Sequence, residues 1–96
     1  MSLKETINND IKTAMKAKDK ETLAVLRMIK TAIQAAEIDK KSDLTPEEEL
    51  TILSREAKQR RDSIVEFEKA GRQELVEKTQ GELAIVEKYL PAQLSL

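Results

Sequence analysis

The stretch LAVLRMIKTAIQAAEI, residues 23–38, decides the fold. Leu23, Val25, Leu26, Met28, Ile29, Ala32, Ile33 and Ala36 recur at spacings that place them on successive turns of an α-helix. Projected at about 100° per residue, they cover well over half the circumference and leave a strip of Arg27, Lys30, Thr31 and Gln34. A surface helix carries a single apolar stripe. A helix this apolar is packed on more than one side, which makes it the expected centre of an all-α fold. Asp19 is a good N-cap for its start, and the pattern fades at about Ile38.

Working outward, the same logic yields three more helices. Ser2 and Glu5 form a capping-box pattern ahead of a stripe of Leu3, Ile7, Ile11, Ala14 and Met15. This first helix should stop near Ala17 or Lys18. Residues 39–45 are polar and read as a loop. Thr45, Pro46 and Glu48 then mark a helix start, with Pro at the first helical position. That third helix runs to about Ala70, where Gly71 supplies a stop. Its core stripe is Leu50, Leu53, Ala57, Ile64 and Phe67, and its outer face is nearly all charged. A fourth helix runs from Arg72 to Leu90, just before Pro91, with Leu75, Val76, Thr79, Leu83, Val86 and Leu90 on one face. Ile85 projects to the far side and Tyr89 to a flank, toward solvent or a partner. Gly81, inside this helix, costs about 1 kcal/mol relative to Ala. The fold class is therefore all-α, a compact multihelical, bundle-like domain of about four helices. Short links make consecutive helices roughly antiparallel.

Composition excludes most catalytic classes. The 96 residues hold no Cys and no His, so thiolate nucleophiles, disulfides and the commonest general base and metal ligand are missing. Gly71 and Gly81 stand alone, so there is no phosphate-cradling loop. Ser54 and Lys58, four apart, are a conceivable nucleophile–base pair, but nothing around them suggests a desolvated pocket. Glu47, Glu48 and Glu49 could attract a cation, yet at a helix N-terminus they simply oppose the dipole. No metal and no cofactor is expected. No apolar run approaches the roughly 20 residues of a membrane span, and no signal core opens the chain. The expected location is the cytoplasm.

Net charge is -1, but the charges are unevenly spread. Residues 37–49 are acidic, and a basic cluster of Arg55, Lys58, Arg60 and Arg61 follows. Such a cluster is either a solvated helix face or a ridge able to touch nucleic-acid phosphate. Projection points Arg55, Lys58, Gln59 and Asp62 outward. It sets Arg61 beside Ala57 and Ile64, within about 40° of the core stripe, with Arg60 flanking the other side. A guanidinium so placed needs acceptors or an exit to water. An ion pair with a carboxylate of the fourth helix is one solution, and a phosphate or partner contact is the other. Phe67 and Tyr89 are the only aromatics, so no base-stacking platform exists. Any RNA contact would rest on backbone charge and shape and would depend on salt.

Four segments together resemble the GatB/YqeY family: LAVLRMIKTAIQ (23–34), LTPEEELTILSREAKQRRDSI (44–64), FEKAGRQELVEK (67–78) and ELAIVEKYLPAQLS (82–95). Their order and spacing match stand-alone YqeY-like proteins over nearly the whole chain. KQRRDSI, AGR with its following acidic-apolar turn, and KYLPAQLS are the most specific pieces. The resemblance implies a helical N-terminal domain followed by a smaller helical C-terminal domain. It also implies kinship with the tail of the B subunit of the glutamyl/aspartyl-tRNA amidotransferase, which helps engage tRNA. For this reason such proteins are often described as carbon–nitrogen ligases with glutamine as amido-N-donor. Leu96 stands where these proteins carry an acid. Residues 1–90 are therefore read as the N-terminal domain, and 91–96 as the start of a linker to a C-terminal domain absent from this chain.

The functional expectation is a non-catalytic accessory domain associated with tRNA or a tRNA-amidation complex. Arg55, Lys58, Arg60, Arg61 and Arg72 are the candidate contacts to nucleic acid or a partner. The alternatives are a helical protein-interaction module without a nucleic-acid role, and a genuine amidotransferase.

Overall fold

The structure is a computed structural model and describes residues 2–91. Its described residues form four helices and no strand: α1 (Leu3–Lys16), α2 (Lys20–Lys40), α3 (Pro46–Lys69) and α4 (Gln73–Glu87). The all-α expectation holds. The residues expected to begin a linker fall almost wholly at 92–96, outside the described residues. The chain divides into two compact units, Met1–Ile52 and Leu53–Leu96.

In the first unit α1 packs against α2. The side chain of Ser2 caps α1 by accepting from the Glu5 N–H, and Asp19 caps α2 by accepting from the Thr22 N–H. Ile7 and Ala14 of α1 are buried, as are Val25, Leu26, Ile29 and Ile33 of α2. The four buried α2 positions span an arc of only about 100° at the helical period. Burial around more than half of α2 is thus not observed: Met28 is exposed and Ile38 is 76% exposed. Met15, expected on the α1 stripe, is exposed too.

The link between α1 and α2 is a Schellman turn. The Asp19 N–H donates to the Ala14 carbonyl and the Lys18 N–H to the Met15 carbonyl, with Lys18 left-handed at φ 58°. Asp19 therefore closes one helix and opens the next. After α2, Lys41 takes the left-handed conformation and its N–H donates to the Glu37 carbonyl. A reciprocal capping box then starts α3: the Glu48 N–H donates to Thr45 Oγ1, and the Thr45 N–H donates to Glu48 Oε1. Lys40 bonds both the Asp43 carbonyl and the Glu48 carboxylate, which ties the loop together. That lysine and the Thr45 backbone hold the Glu48 carboxyl below its ordinary pKa.

In the second unit Leu53, Ala57, Val76 and Val86 are buried, together with Arg60 and Thr79. α3 ends in a second Schellman turn, with Gly71 at φ 70° and the Arg72 N–H donating to the Phe67 carbonyl. α4 ends at Glu87, three residues before the expected Leu90. Pro91 disfavours helical backbone at the residue before it. The last turn tightens accordingly, with the Tyr89 N–H donating to the Val86 carbonyl and the Leu90 N–H to the Glu87 carbonyl. Ile85 and Tyr89, expected to be exposed, are half-buried.

Candidate nucleic-acid interface

The basic segment of α3 sorts its cations into different environments. Arg55 is exposed, and no ion pair engages it among the described residues. Lys58, one turn on, is exposed and pairs with Asp62 at 2.9 Å across one helical turn. That pair leaves the Lys58 ammonium directed to Asp62 rather than to Ser54, so the conceivable Ser54–Lys58 couple does not form. Arg72 caps α4 by backbone only and stands 3.8 Å from Glu74.

Arg60 and Arg61 depart from the projected order. Arg60, expected on a flank, is the buried one, at 7% exposure. Its Nη1 lies 2.9 Å from Glu56 Oε1 and 3.1 Å from the Glu56 carbonyl, and its Nε lies 3.5 Å from Glu82 of α4. Arg61 is instead half exposed and pairs with Glu87 of α4 at 3.2 Å. The reason lies in the stripe. Leu50 is exposed and Ile64 only half-buried, so Leu53, Ala57 and Arg60 define the covered face. Measured at about 100° per residue, Arg60 falls between Leu53 and Phe67 and Arg61 about 60° from the stripe's centre, so the expected order of the two is reversed. The expected interhelical pair of Arg61 with a carboxylate of the fourth helix does form, but at the surface.

The acidic run at the start of α3 works locally. Glu48 completes the capping box, and the Glu47 carbonyl accepts from the Thr51 hydroxyl. Burial pushes the Glu49 carboxyl up; nearby Lys4 pulls it back and Glu37 adds to the push. Among the described residues no group of three acids is placed to hold a metal ion, and no helix is long and apolar enough to cross a membrane.

Thus the five candidate residues do not form one patch of uncompensated charge. Arg55, Lys58 and Arg61 reach solvent from α3, Arg72 does so from the start of α4, and Arg60 belongs to the interior. A second polar feature, the Lys4–Glu37 pair joining α1 to α2 at 2.8 Å, has no marker in the sequence. Partners 33 positions apart leave no signature in local spacing.

The sequence is similar to yeast proteins named altered inheritance of mitochondria protein 41, mitochondrial. It is 38% identical to that of Kluyveromyces lactis over 87 residues, 90% of this chain and 47% of the relative. It is 39% identical to that of Saccharomyces cerevisiae strain YJM789 over 85 residues, 88% of this chain and 46% of the relative. For Eremothecium gossypii the identity is 36% over 87 residues, 90% of this chain and 48% of the relative. The chain spans about half the length of these curated relatives. Their names correct the expected cytoplasmic location: the relatives are mitochondrial proteins. Absence of Cys and of a membrane span was a weak guide, because neither distinguishes the cytoplasm from an organelle's interior. The profile of the YqeY-like protein family matches residues 4–96, and the chain belongs to that family.

Proposed function

We propose that this chain is a non-catalytic helical accessory domain that contacts tRNA, or a complex handling tRNA amidation, through the exposed cations of α3. One observation carries the reading: Arg55 and Lys58 lie one turn apart on the solvent face of a continuous 24-residue helix, with Arg61 reaching solvent beside them. Side chains so placed can follow a phosphate backbone without any aromatic platform. Arg60 is left out of the contact set because Glu56 and Glu82 already compensate it. Glutamine-dependent carbon–nitrogen ligation is no part of this proposal, since Lys58 is paired with Asp62 and the Ser54–Lys58 couple does not form.

Titration of labelled tRNA at low salt tests the proposal. Binding is expected, and Arg55→Glu with Lys58→Glu is expected to weaken it at least tenfold. Absence of binding, or binding indifferent to the double substitution, would overturn it.

A second reading is favoured by the carboxylates next to these cations. Asp62 on Lys58, Glu87 on Arg61 and Glu74 near Arg72 make a mixed surface, better suited to a protein partner than to a polyanion. Partners captured by the intact protein that survive nuclease treatment would favour this reading, and partners lost on nuclease treatment would favour the first.

A further inference from the structure

A cleft of about 270 Å³ opens along the first unit, lined by Lys4, Ile7 and Asn8 of α1 and by Lys30, Ile33, Gln34 and Glu37 of α2. The α2 residues recur at one-turn spacing and so share a face. Ile7 and Ile33, each 1% exposed, form its apolar floor. The volume falls just below the roughly 300 Å³ at which drug-sized sites begin, so an occupant would be metabolite-sized.

The polar groups of the cleft fall into two sets. Lys4 and Glu37 satisfy each other at 2.8 Å, and Asp43 adds a second carboxylate at 3.5 Å. Those carboxylates raise the Lys4 pKa and keep it an ammonium; the Glu37 hydrogen bond is the main cause. Lys30, Asn8 and Gln34 are exposed, and among the described residues no side-chain hydrogen bond or ion pair engages them. The cleft therefore offers one uncompensated positive charge and two carboxamide groups above an apolar floor.

We propose that this cleft binds a small organic monocarboxylate, with the carboxylate on Lys30 and the Asn8 and Gln34 amides and a short aliphatic body over Ile7 and Ile33. A carboxylate has two oxygens to accept from an ammonium and from amide N–H donors together. A single negative charge matches a single uncommitted cation. A phosphate monoester or inorganic phosphate, approaching a charge of about -2 at neutral pH, would meet Glu37, Asp43 and Glu49 nearby. Those acids disfavour it. The site is separate from the α3 cations of the proposed function and does not depend on them.

The test is titration of the uniformly ¹⁵N-labelled chain with butyrate, butylamine and inorganic phosphate, each followed by amide chemical shifts. Butyrate is expected to give saturable shifts, in the millimolar range, grouped around Asn8, Lys30 and Gln34. Butylamine should give none there, and phosphate should bind at least threefold more weakly than butyrate. Lys30→Gln should weaken butyrate binding at least fivefold, while Lys30→Arg should retain it. Lys30 is exposed, so both variants are expected to fold, and the spectrum itself verifies this. Shifts that do not saturate, that scatter over the surface or that persist unchanged in Lys30→Gln would overturn the proposal. So would phosphate binding as well as butyrate.

Discussion

Arg60 and Arg61 are neighbours in sequence, yet their charges are met in different media. Arg60 is buried beside Glu56 and Glu82, whereas Arg61 and Glu87 are each about half exposed. Removing one partner of a buried pair strands the other charge, which costs about 3–5 kcal/mol where burial is complete. Glu56 and Glu82 keep some contact with water, so Arg60→Ala should destabilise by about 2–4 kcal/mol on that scale. Arg61→Ala should cost less than about 1 kcal/mol, because solvent screens the exposed pair. Urea unfolding of the two variants checks this; equal midpoints would refute the assignment of Arg60 to the interior. The sequence places a guanidinium at the core edge, and the helical period already separates the two: Arg60 falls between Leu53 and Phe67, Arg61 about 60° from the stripe's centre. The exposure of Leu50 shifts that centre by only about 10°.

At the scale of the element, the caps were the most legible features, because each depends on residues within one turn. Ser2, Asp19, Thr45 and Gly71 all act as read. Added Cβ atoms at Gly71 would meet nothing within 4 Å, so Gly71→Ala tests backbone conformation alone. It should cost about 1 kcal/mol, the penalty for a side chain in the left-handed region. Lys18 occupies the equivalent position of the first Schellman turn with a side chain, so Lys18→Gly should stabilise by up to about 1 kcal/mol. Thermal unfolding of both variants should show shifts of opposite sign, and a matching sign would contradict the account of the turns. No glycine marks the Lys18 turn in the sequence, although the helix end itself is legible there.

The α2–α3 loop adds a pH-dependent prediction at the same scale. The Glu48 carboxyl is held below its ordinary pKa chiefly by Lys40 and then by the Thr45 N–H. A carboxyl with a lowered native pKa stabilises the fold above its unfolded pKa, about 4.3 for Glu, and the contribution is lost as pH falls through the native value. Lys40→Met should therefore raise the Glu48 midpoint toward the ordinary value and flatten the loss of stability on the acid side. Carboxyl ¹³C titration reads this directly; an unmoved midpoint would show that the lysine is not the cause.

For the whole molecule, the family and the all-α class were legible from the pattern of four segments, and cellular location was not. Location is carried by signals and partners rather than by the packing of a domain. Burial on α2 is narrower than its apolar pattern implies, because apolar side chains such as Met28 and Ile38 are exposed. The central proposal concerns α3, whose exposed cations are proposed to contact tRNA. Its most direct measurement is tRNA affinity as a function of salt for the parent chain and for Arg55→Glu with Lys58→Glu. With Arg55, Lys58 and Arg61 as phosphate contacts, log affinity against log salt should fall with a slope of about -2 to -3. The double variant should lose most of that slope together with the binding. A slope near zero, or one unchanged by the two substitutions, would contradict the account.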